Sequence, residues 1–562
     1  MGLSSKKAKR TWRHWVGVAL AFGAVLVVAF IIFVNTRLEP MLRDRLQVLI
    51  VQGSDSLYAY HLGNLKANFF GGSVEVSNLE ISLNASKYRQ LAAAHALPSL
   101  TMEVNLKRGY VKGVGVMSLL FAKKIKVDEI YSGDADIRLL RHLRNDKDTT
   151  TKPPLWKAIQ PNIASIEINR IELDGIKMLY KDLDTITSAK LQFDTCNAVF
   201  KNILVDSAAA VDPSRIGFAK SIDMQFRDLK FRTADSTYKM KAGAINYSSD
   251  EKAFEVTAFK IQPTLSEKED FYRGAIQQQT MNVIEFDRMQ LTNFRLDRFI
   301  NNNSIVADSV LFDGFTANMY NDRTLPPTAE RKFRKDPHQK LLTAGVAIAV
   351  NGVRMHNFNL AYTEKAKKTL SEGTVRLERM NIKVSNVTNV AERIYKNNIC
   401  TAVADGLIMG SPMQARFQFF LDSADGAFTA EGAISNVTAK QLNPLSEPLA
   451  NTTLQSFDLK ALQFNMQGDI FSATGNVRMQ YNNLFVVLRK KDEETGILST
   501  KKFLTKIINK FTLQEQNPGP DGVERVANNV VQARVSNISF FGFVWRTIYA
   551  GMQRVMVKSG TL

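Results

Sequence analysis

Two cysteines stand in 562 residues, Cys196 and Cys400. So few exclude a disulfide framework, and without a Cys-x-x-Cys there is neither a thiolate zinc site nor a dithiol redox centre. Both cysteines read as small buried hydrophobes. Histidine is sparse too: His14, His61, His95, His142, His338 and His356 are scattered without ligand spacing and read as surface or partly buried polar residues, so no metal is expected. There is no Gly-x-Ser-x-Gly, no His-Glu-x-x-His and no P-loop. Gly113-Val114-Gly115 lacks the third glycine of a dinucleotide fingerprint and precedes a hydrophobic stretch instead of following a strand. No catalytic residue and no cofactor are expected, and the chain reads as a non-enzyme.

Acid is in deficit. The net charge is +19 and the pI about 9.6, which suits a neighbour of anionic lipid or of nucleic acid. Five of the cations (Lys6, Lys7, Lys9, Arg10, Arg13) fall within residues 1–14, and the rest of the excess is interleaved with acids. No basic tail results, so nucleic acid is not an expected partner.

Long hydrophobic runs are also lacking, with one exception. From Trp15 to Thr36 there is no Asp, Glu, Lys or Arg. About twenty helical residues rise roughly 30 Å, the depth of a bilayer's hydrocarbon core. Trp15, Val18, Leu20, Leu26, Val28, Ile31 and Phe33 are the expected anchor residues. A cleaved signal peptide would have a shorter apolar region and a small-x-small site, and Phe33-Val34-Asn35-Thr36-Arg37 supplies none. The stretch reads as an uncleaved single span. The excess of Lys and Arg before it, against Arg37, Arg43 and Arg45 after it, keeps the N-terminus cytoplasmic and exports the body.

The body alternates apolar and polar residues, the period of a strand. One pattern recurs. Ile166, Ile168, Ile171, Leu173, Ile176 and Met178 are separated by steps of 2, 3, 2, 3, 2; so are Ile284, Phe286, Met289, Leu291, Phe294 and Leu296, and again Ile348, Val350, Val353, Met355, Phe358 and Leu360. Shorter 2, 3, 2 copies begin at Val74, Leu191, Met224, Val375, Phe457, Met479 and Ala533. The long step is filled mostly by polar or turn-forming pairs such as Ser77-Asn78, Arg227-Asp228 and Asn482-Asn483, with Asp174-Gly175 and His356-Asn357 at matching places. Side chains alternate faces along a strand, so a step of three would switch sides unless a bulge or tight turn restores the face. The pattern predicts bent strands with one apolar side. The Ile166 and Ile348 blocks each follow a Pro-containing basic linker, 146–154 and 323–337, and lie about 180 residues apart, as in diverged repeats.

Short helices are expected over 40–49, 88–97, 296–301 and 390–397. Phe503, Leu504, Ile507, Ile508 and Phe511 mark one face of a further helix whose other face carries Lys501, Lys502, Lys506 and Lys510. It reads as packed against the sheet end with its lysines solvated, in preference to a membrane-surface helix. For the aromatic stretch 540–557 the two readings stand level.

The anchor, the short helical stretch Leu38 to Leu49, the Gly-rich strand Phe69-Phe70-Gly71-Gly72-Ser73-Val74-Glu75-Val76-Ser77-Asn78-Leu79 and the bent apolar-step strands together resemble the AsmA family of bacterial envelope proteins. So does Gly468 and Gly475 leading into Met479-Gln480-Tyr481-Asn482-Asn483-Leu484-Phe485-Val486-Val487-Leu488, which resembles the strand pair that closes AsmA-like domains. The resemblance covers most of the chain through patterns and not through invariant residues, and the chain is short for that superfamily. It implies a mainly β fold with short helices, in which the N-terminal transmembrane helix precedes a curved, repetitive antiparallel β-sheet groove related to the chorein-type bridge-like lipid-transfer proteins. It also implies inner-membrane anchoring, a periplasmic body, and lipid, phospholipid above all, moved in support of outer-membrane homeostasis or assembly. Ile166, Ile168, Ile171, Leu173, Ile284, Phe286, Met289, Leu291, Ile348, Val350, Val353 and Met355 are the candidate groove residues. The alternative is an envelope scaffold with a closed β core, working through an envelope protein partner. The organisation reads as a cytoplasmic tail (1–14), a span (15–36), an N-terminal AsmA-like β module (37–152), a second (153–337), a third with the closing strands (338–490), and C-terminal amphipathic helices with a last strand (491–562).

Overall fold

A computed structural model describes residues 44, 47–68, 72–98, 100–115, 118, 123–142, 156–157, 163–183, 190–233, 235–328, 332–491 and 498–558. The expected anchor, Trp15 to Phe33 included, lies outside them. Among the described residues no helix is long and apolar enough to cross a membrane. The chain is mainly β with short helices and forms two compact units, one of residues up to Phe259 with Thr292–Ser304, the other of Lys260–Leu291 with Ile305–Leu562.

In the first unit β1 (Tyr58–Asn68), β2 (Ser73–Leu83), β3 (Leu100–Lys112) and β4 (Lys124–Arg141) pair antiparallel in that order. Helix α1 (Ala85–Ala93) interrupts them, its start fixed by Asn84, whose side chain accepts from the N–H groups of Ser86 and Lys87. Strand β5 (Ser165–Asp182) then lies parallel to β4, and β6 (Lys190–Val205), β7 (Ser221–Arg232) and β8 (Tyr238–Ser248) continue antiparallel. Strand β9 (Ala253–Pro263) follows.

The second unit repeats this plan. Strand β10 (Thr280–Thr292) pairs antiparallel with β12 (Thr316–Asp322), and β11 (Ser304–Asp313) pairs with β13 (Ala347–Lys365). Strand β13 lies parallel to β12, and β14 (Glu372–Thr388), β15 (Ile399–Ile408), β16 (Ser411–Phe420), β17 (Phe428–Thr438), β18 (Thr452–Gly468) and β19 (Ser472–Lys491) continue antiparallel. The free edge of β19 takes β20 (Leu498–Thr500) and β21 (Val526–Ala533).

The sheet is therefore mixed and not antiparallel throughout. Parallel neighbours need a crossover of about a dozen residues or more, and the two Pro-containing linkers supply one at each parallel join. The expected helices at 88–97, 296–301 and 390–397 are found at Ala85–Ala93, Leu296–Asn302 and Ala391–Lys396. Two histidines are more enclosed than expected, His142 and His338 being buried.

The bends follow the apolar steps. Opposite Ile168 and Ile171, which are three apart, β6 places Ile203 and Phe200, also three apart; both strands turn together and the register is kept. The next long step, Leu173 to Ile176, faces only two residues, Ala198 to Cys196, and the register shifts by one; Ile176 to Met178 facing Cys196 to Phe193 shifts it back. In the second unit Val350 and Val353 face Val387 and Val384, and the same pair of shifts falls at Met355 to Phe358 and Phe358 to Leu360. Left-handed residues mark equivalent corners: Asp134, Gly175 and Asn202 in the first unit, Gly314, Asn357 and Asn386 in the second. The Ala533 copy is accidental, since β21 ends at Ala533 and the chain proceeds through a turn to the helix that begins at Phe540.

Helix α2 (Pro337–Leu342) opens at Asp336, α3 (Ala439–Ala450) follows β17, α4 (Lys502–Ile507) continues into a π-helical turn (Ile508–Thr512), and α5 (Phe540–Met556) ends the described chain but for Val557 and Lys558. Helix α5 packs on β19 and β21, its Phe540 ring reaches Phe417 and Phe419 of β16 and Phe428 of β17, and Phe540, Phe543, Val544, Ile548 and Val555 are buried in one core cluster with Phe428, Phe457, Met479 and Tyr481. Its seating is clasped by Arg534, which donates to both oxygens of Asp336 at 3.0 and 2.6 Å while its guanidinium lies 4.8 Å from the Phe543 ring centre. Both partners of the ion pair are 1% exposed.

Two outcomes test this account by chemical denaturation. Asn357 is exposed with φ near 53°, so Asn357→Val should cost about 1–2 kcal/mol while Asn357→Gly stays within about 0.5 kcal/mol and Arg354→Val changes little. Removing one member of the buried pair, Asp336→Ala, leaves a buried guanidinium uncompensated and should cost about 3–5 kcal/mol, with α5 the element released.

Candidate functional site

Residues directly opposite on neighbouring strands share a face. One such row runs Val353, Val384, Ala402, Phe417, Ala430, Met466, Gly475, Val530, from β13 to β21. Its neighbour, Arg354, Lys383, Val403, Arg416, Glu431, Asn465, lies one residue along each strand, on the opposite face, and is exposed throughout. One face is apolar and the other charged, as the alternation requires.

The apolar row is covered unevenly. Val530 is 0% exposed, Ala430 2% and Met466 5%, all three within the core cluster that the buried side of α5 joins. Phe417, whose ring meets those of Phe540 and Phe541 at the start of α5, is half-buried, as are Ala402, Val384 and Val353. The next apolar row, Met355, Ile382, Ala404, Ala415, Gly432, Phe464, Val477, Ala527, repeats the gradient. Helices α2 and α3 both contact β14, and Val384 and Ala402 pack against the core cluster, so the cover over β13–β15 is partial and leaves these rows half-exposed.

The twelve candidate groove residues fall on apolar faces of this kind. In the first unit Ile166 pairs with Ile125 and Val205, Ile168 with Val127 and Ile203, Ile171 with Ile130 and Phe200, and Leu173 with Ser132 and Ala198. Ile166 and Ile168 are buried; Ile171 and Leu173 are half-buried. In the second unit Phe286, Leu291 and Val350 are buried, and Ile284, Met289, Ile348, Val353 and Met355 half-buried. The structure joins the Ile284 and Ile348 runs. Ile284 faces Ala317, which faces Leu360. The Phe286 ring lies 6.1 Å from that of Phe315, itself 5.4 Å from Phe358. Sequence reading missed Phe312 and Phe315, which sit beside a glycine corner, and the small floor residues Ala402, Ala404, Ala415 and Gly432. The charged face holds ion pairs such as Arg170 with Glu172 at 2.7 Å and Arg416 with Glu431 at 4.0 Å. These exposed pairs contribute little stability and keep that face in water.

Of the two C-terminal helices, α4 packs at the sheet with its lysines solvated as expected but turns the other side inward, and α5 takes the packed one of the two readings that stand level. Helix α4 lies against the edge of β19, but through its polar side. The Leu488 N–H donates to Thr505 Oγ1 at 3.1 Å, the Val486 N–H donates to Asn509 Oδ1 at 2.9 Å, and Asn509 Nδ2 donates to the Val486 carbonyl at 2.6 Å. Its apolar side faces outward with its lysines. Helix α5 packs against the sheet, yet leaves Trp545 and Tyr549 exposed, and Phe541 exposed although its ring lies 5.9 Å from that of Phe417.

Among the described residues no group of His, Cys, Asp and Glu could hold a metal ion. Cys196 and Cys400 are free, buried thiols, and burial pushes them up to about 12 and about 11. No known protein family matches the chain, and comparison with curated proteins finds no significant match either.

Thiolate is the reactive form of cysteine. Neither thiol should react with an aqueous maleimide at pH 8 in the folded protein, and both should react in denaturant. Labelling of either under native conditions would show that its strand opens.

Proposed function

We propose that this chain is a non-enzymatic lipid-binding or lipid-transfer protein of the cell envelope, anchored in the inner membrane by residues 15–36 with its body in the periplasm. Acyl chains would lie on the half-exposed part of the apolar face. One observation carries the reading: the same cross-strand rows that are sealed in the core cluster over β17–β19 continue as half-buried Val353, Met355, Ile382 and Val384 over β13–β14. An apolar surface left facing water is costly, at about 25 cal/mol per Å², and an acyl chain removes that cost without hydrogen-bond demands. Movement of lipid across such a face needs no catalytic residue, because each buried CH₂ is worth about 0.8 kcal/mol on the bilayer side and on the protein side alike. The resemblance to the AsmA family supports this reading and points to phospholipid and to outer-membrane homeostasis.

The closed β17–β19 core favours a second reading, a scaffold whose whole apolar face is covered by protein. Photo-crosslinking separates the two. With a photoreactive amino acid at Val353 or Met355 of the full chain in native membranes, the lipid reading expects phospholipid adducts, and none from Arg354 on the opposite face. Met355→Asp should reduce the adduct formed at Val353 at least tenfold. Adducts to a protein from both apolar positions, with no lipid, would establish the scaffold.

A further inference from the structure

An amphipathic helix beside a sheet normally turns its apolar side inward. Helix α4 and its π-helical extension do the reverse. Thr505 and Asn509 are spent on the backbone groups of β19, and Phe503 and Phe511 stand outward at 76% and 58% exposure, with Leu504 and Ile507 beside them. Phe503, Ile507 and Phe511 recur every fourth residue and form one stripe. Lys501, Lys502, Lys506 and Lys510 are exposed around it, and residues 498–514 contain no acid. The cationic character extends along the chain: from Arg525 to Leu562 there are five basic residues and no Asp or Glu. The helix is tied to the end of α5, whose outer side carries the exposed Trp545 and Tyr549, through the Leu513–Val557 bridge and a Lys558 Nζ donation to the Lys510 carbonyl.

We propose that the α4 segment, residues 502–512, is a docking element for the surface of an anionic bilayer, inserting its Phe503, Ile507 and Phe511 stripe among the acyl chains while the four lysines meet lipid phosphates. Charge complementarity selects this occupant. An apolar stripe alone would suit a protein groove as well; a stripe ringed by four lysines, with the flanking acids of the sequence (Asp492, Glu493, Glu494 and Glu515) outside residues 498–514, suits a surface that is apolar within and anionic at its boundary. The stripe is separate from the apolar sheet face and the proposal does not rest on the groove reading.

The test uses the full chain in nanodiscs of phosphatidylcholine alone or with a quarter phosphatidylglycerol, before and after adding vesicles of either composition. An environment-sensitive fluorophore is placed at Ile507→Cys, Cys196 and Cys400 being buried. The expected result is a blue shift only where phosphatidylglycerol is present. The vesicle concentration for half-effect should rise at least tenfold in 0.5 M salt or when Lys501, Lys502, Lys506 and Lys510 are changed to Glu. Phe503→Ser with Phe511→Ser should abolish the shift and leave the melting temperature unchanged, since both rings are largely exposed and the Lys510 ammonium over Phe511 is a surface contact. Three results would overturn the proposal: an equal shift with neutral lipid, a shift that survives charge reversal, or a shift that follows protein concentration without bilayer, which would mean a second copy covers the stripe. A fall in melting temperature in the double serine variant would show that the rings are structural and would overturn it too.

Discussion

A strand that bends must still present one side to oil and the other to water, and this constraint organises the molecule. Alternation makes any odd step a change of face. Bending therefore has to be accompanied by a correction, and the two units use the same two. Where facing strands both take a step of three, as at Ile168/Ile171 with Ile203/Phe200, they turn together and no register is lost. Where only one does, a compensating step two residues later restores it, at Ile176 in one unit and Phe358 in the other. The left-handed corners at Gly175 and Asn357 are the local means, because a β-branched residue there would be strained. Apolar rows that stay continuous across eight strands depend on these corrections wherever a strand bends, and cross β15–β17 in unbroken register.

Continuity of the rows makes their uneven cover a matter of what lies above them. Over β19 and β21 the cover is α5, brought close by Gly551, where any side chain would collide with Val477. Its position depends on Arg534 and Asp336, a pair buried so completely that either partner alone would be a liability. Asp336 also opens α2 in the linker that carries the chain across the second parallel join, so the crossover and the C-terminal cap are held by one interaction. The edge is closed by different chemistry: the amide of Asn509 stands in for a neighbouring strand by pairing with both backbone groups of Val486.

How much of this was legible depended on side-chain size and on what a local pattern can encode. Ile, Leu, Phe and Val announce the slots of β5, β10 and β13, and the polar pairs between them announce the corners. The β4 row was hidden because Ser132 fills a slot, and those of β15–β17 because Ala402, Ala404, Ala415 and Gly432 do. The linkers stood out by composition, but a linker does not reveal whether the next strand runs back or forward, and the two parallel joins went unseen. Helix α3 was masked by Pro444 and Pro448, although Thr438-x-x-Gln441 is a capping box that signals its start. The outward turn of α4 has no sequence signal in its apolar face. It follows from Thr505 and Asn509 finding the unpaired edge of β19, a tertiary partner more than fifteen residues away.

The small residues bear on what can occupy the open rows. Gly432 has no Cβ because the Phe464 ring lies across it, so that part of the floor is filled from within. Ala402 lies between Val384 and Phe417, and Ala404 between Ile382 and the equally small Ala415, so the two alanines make a shallow trough that opens toward β16 at Ala415. A folded partner would fill such a trough with a fixed side chain and would need to satisfy its own backbone groups beside it. A flexible hydrocarbon chain conforms to the relief and carries no group that asks for a hydrogen bond. On this reading the charged opposite face, exposed from Arg354 to Asn465, has a role as well: it prevents the lipid from finding an equivalent surface on the other side, so that only one side of the sheet can be loaded.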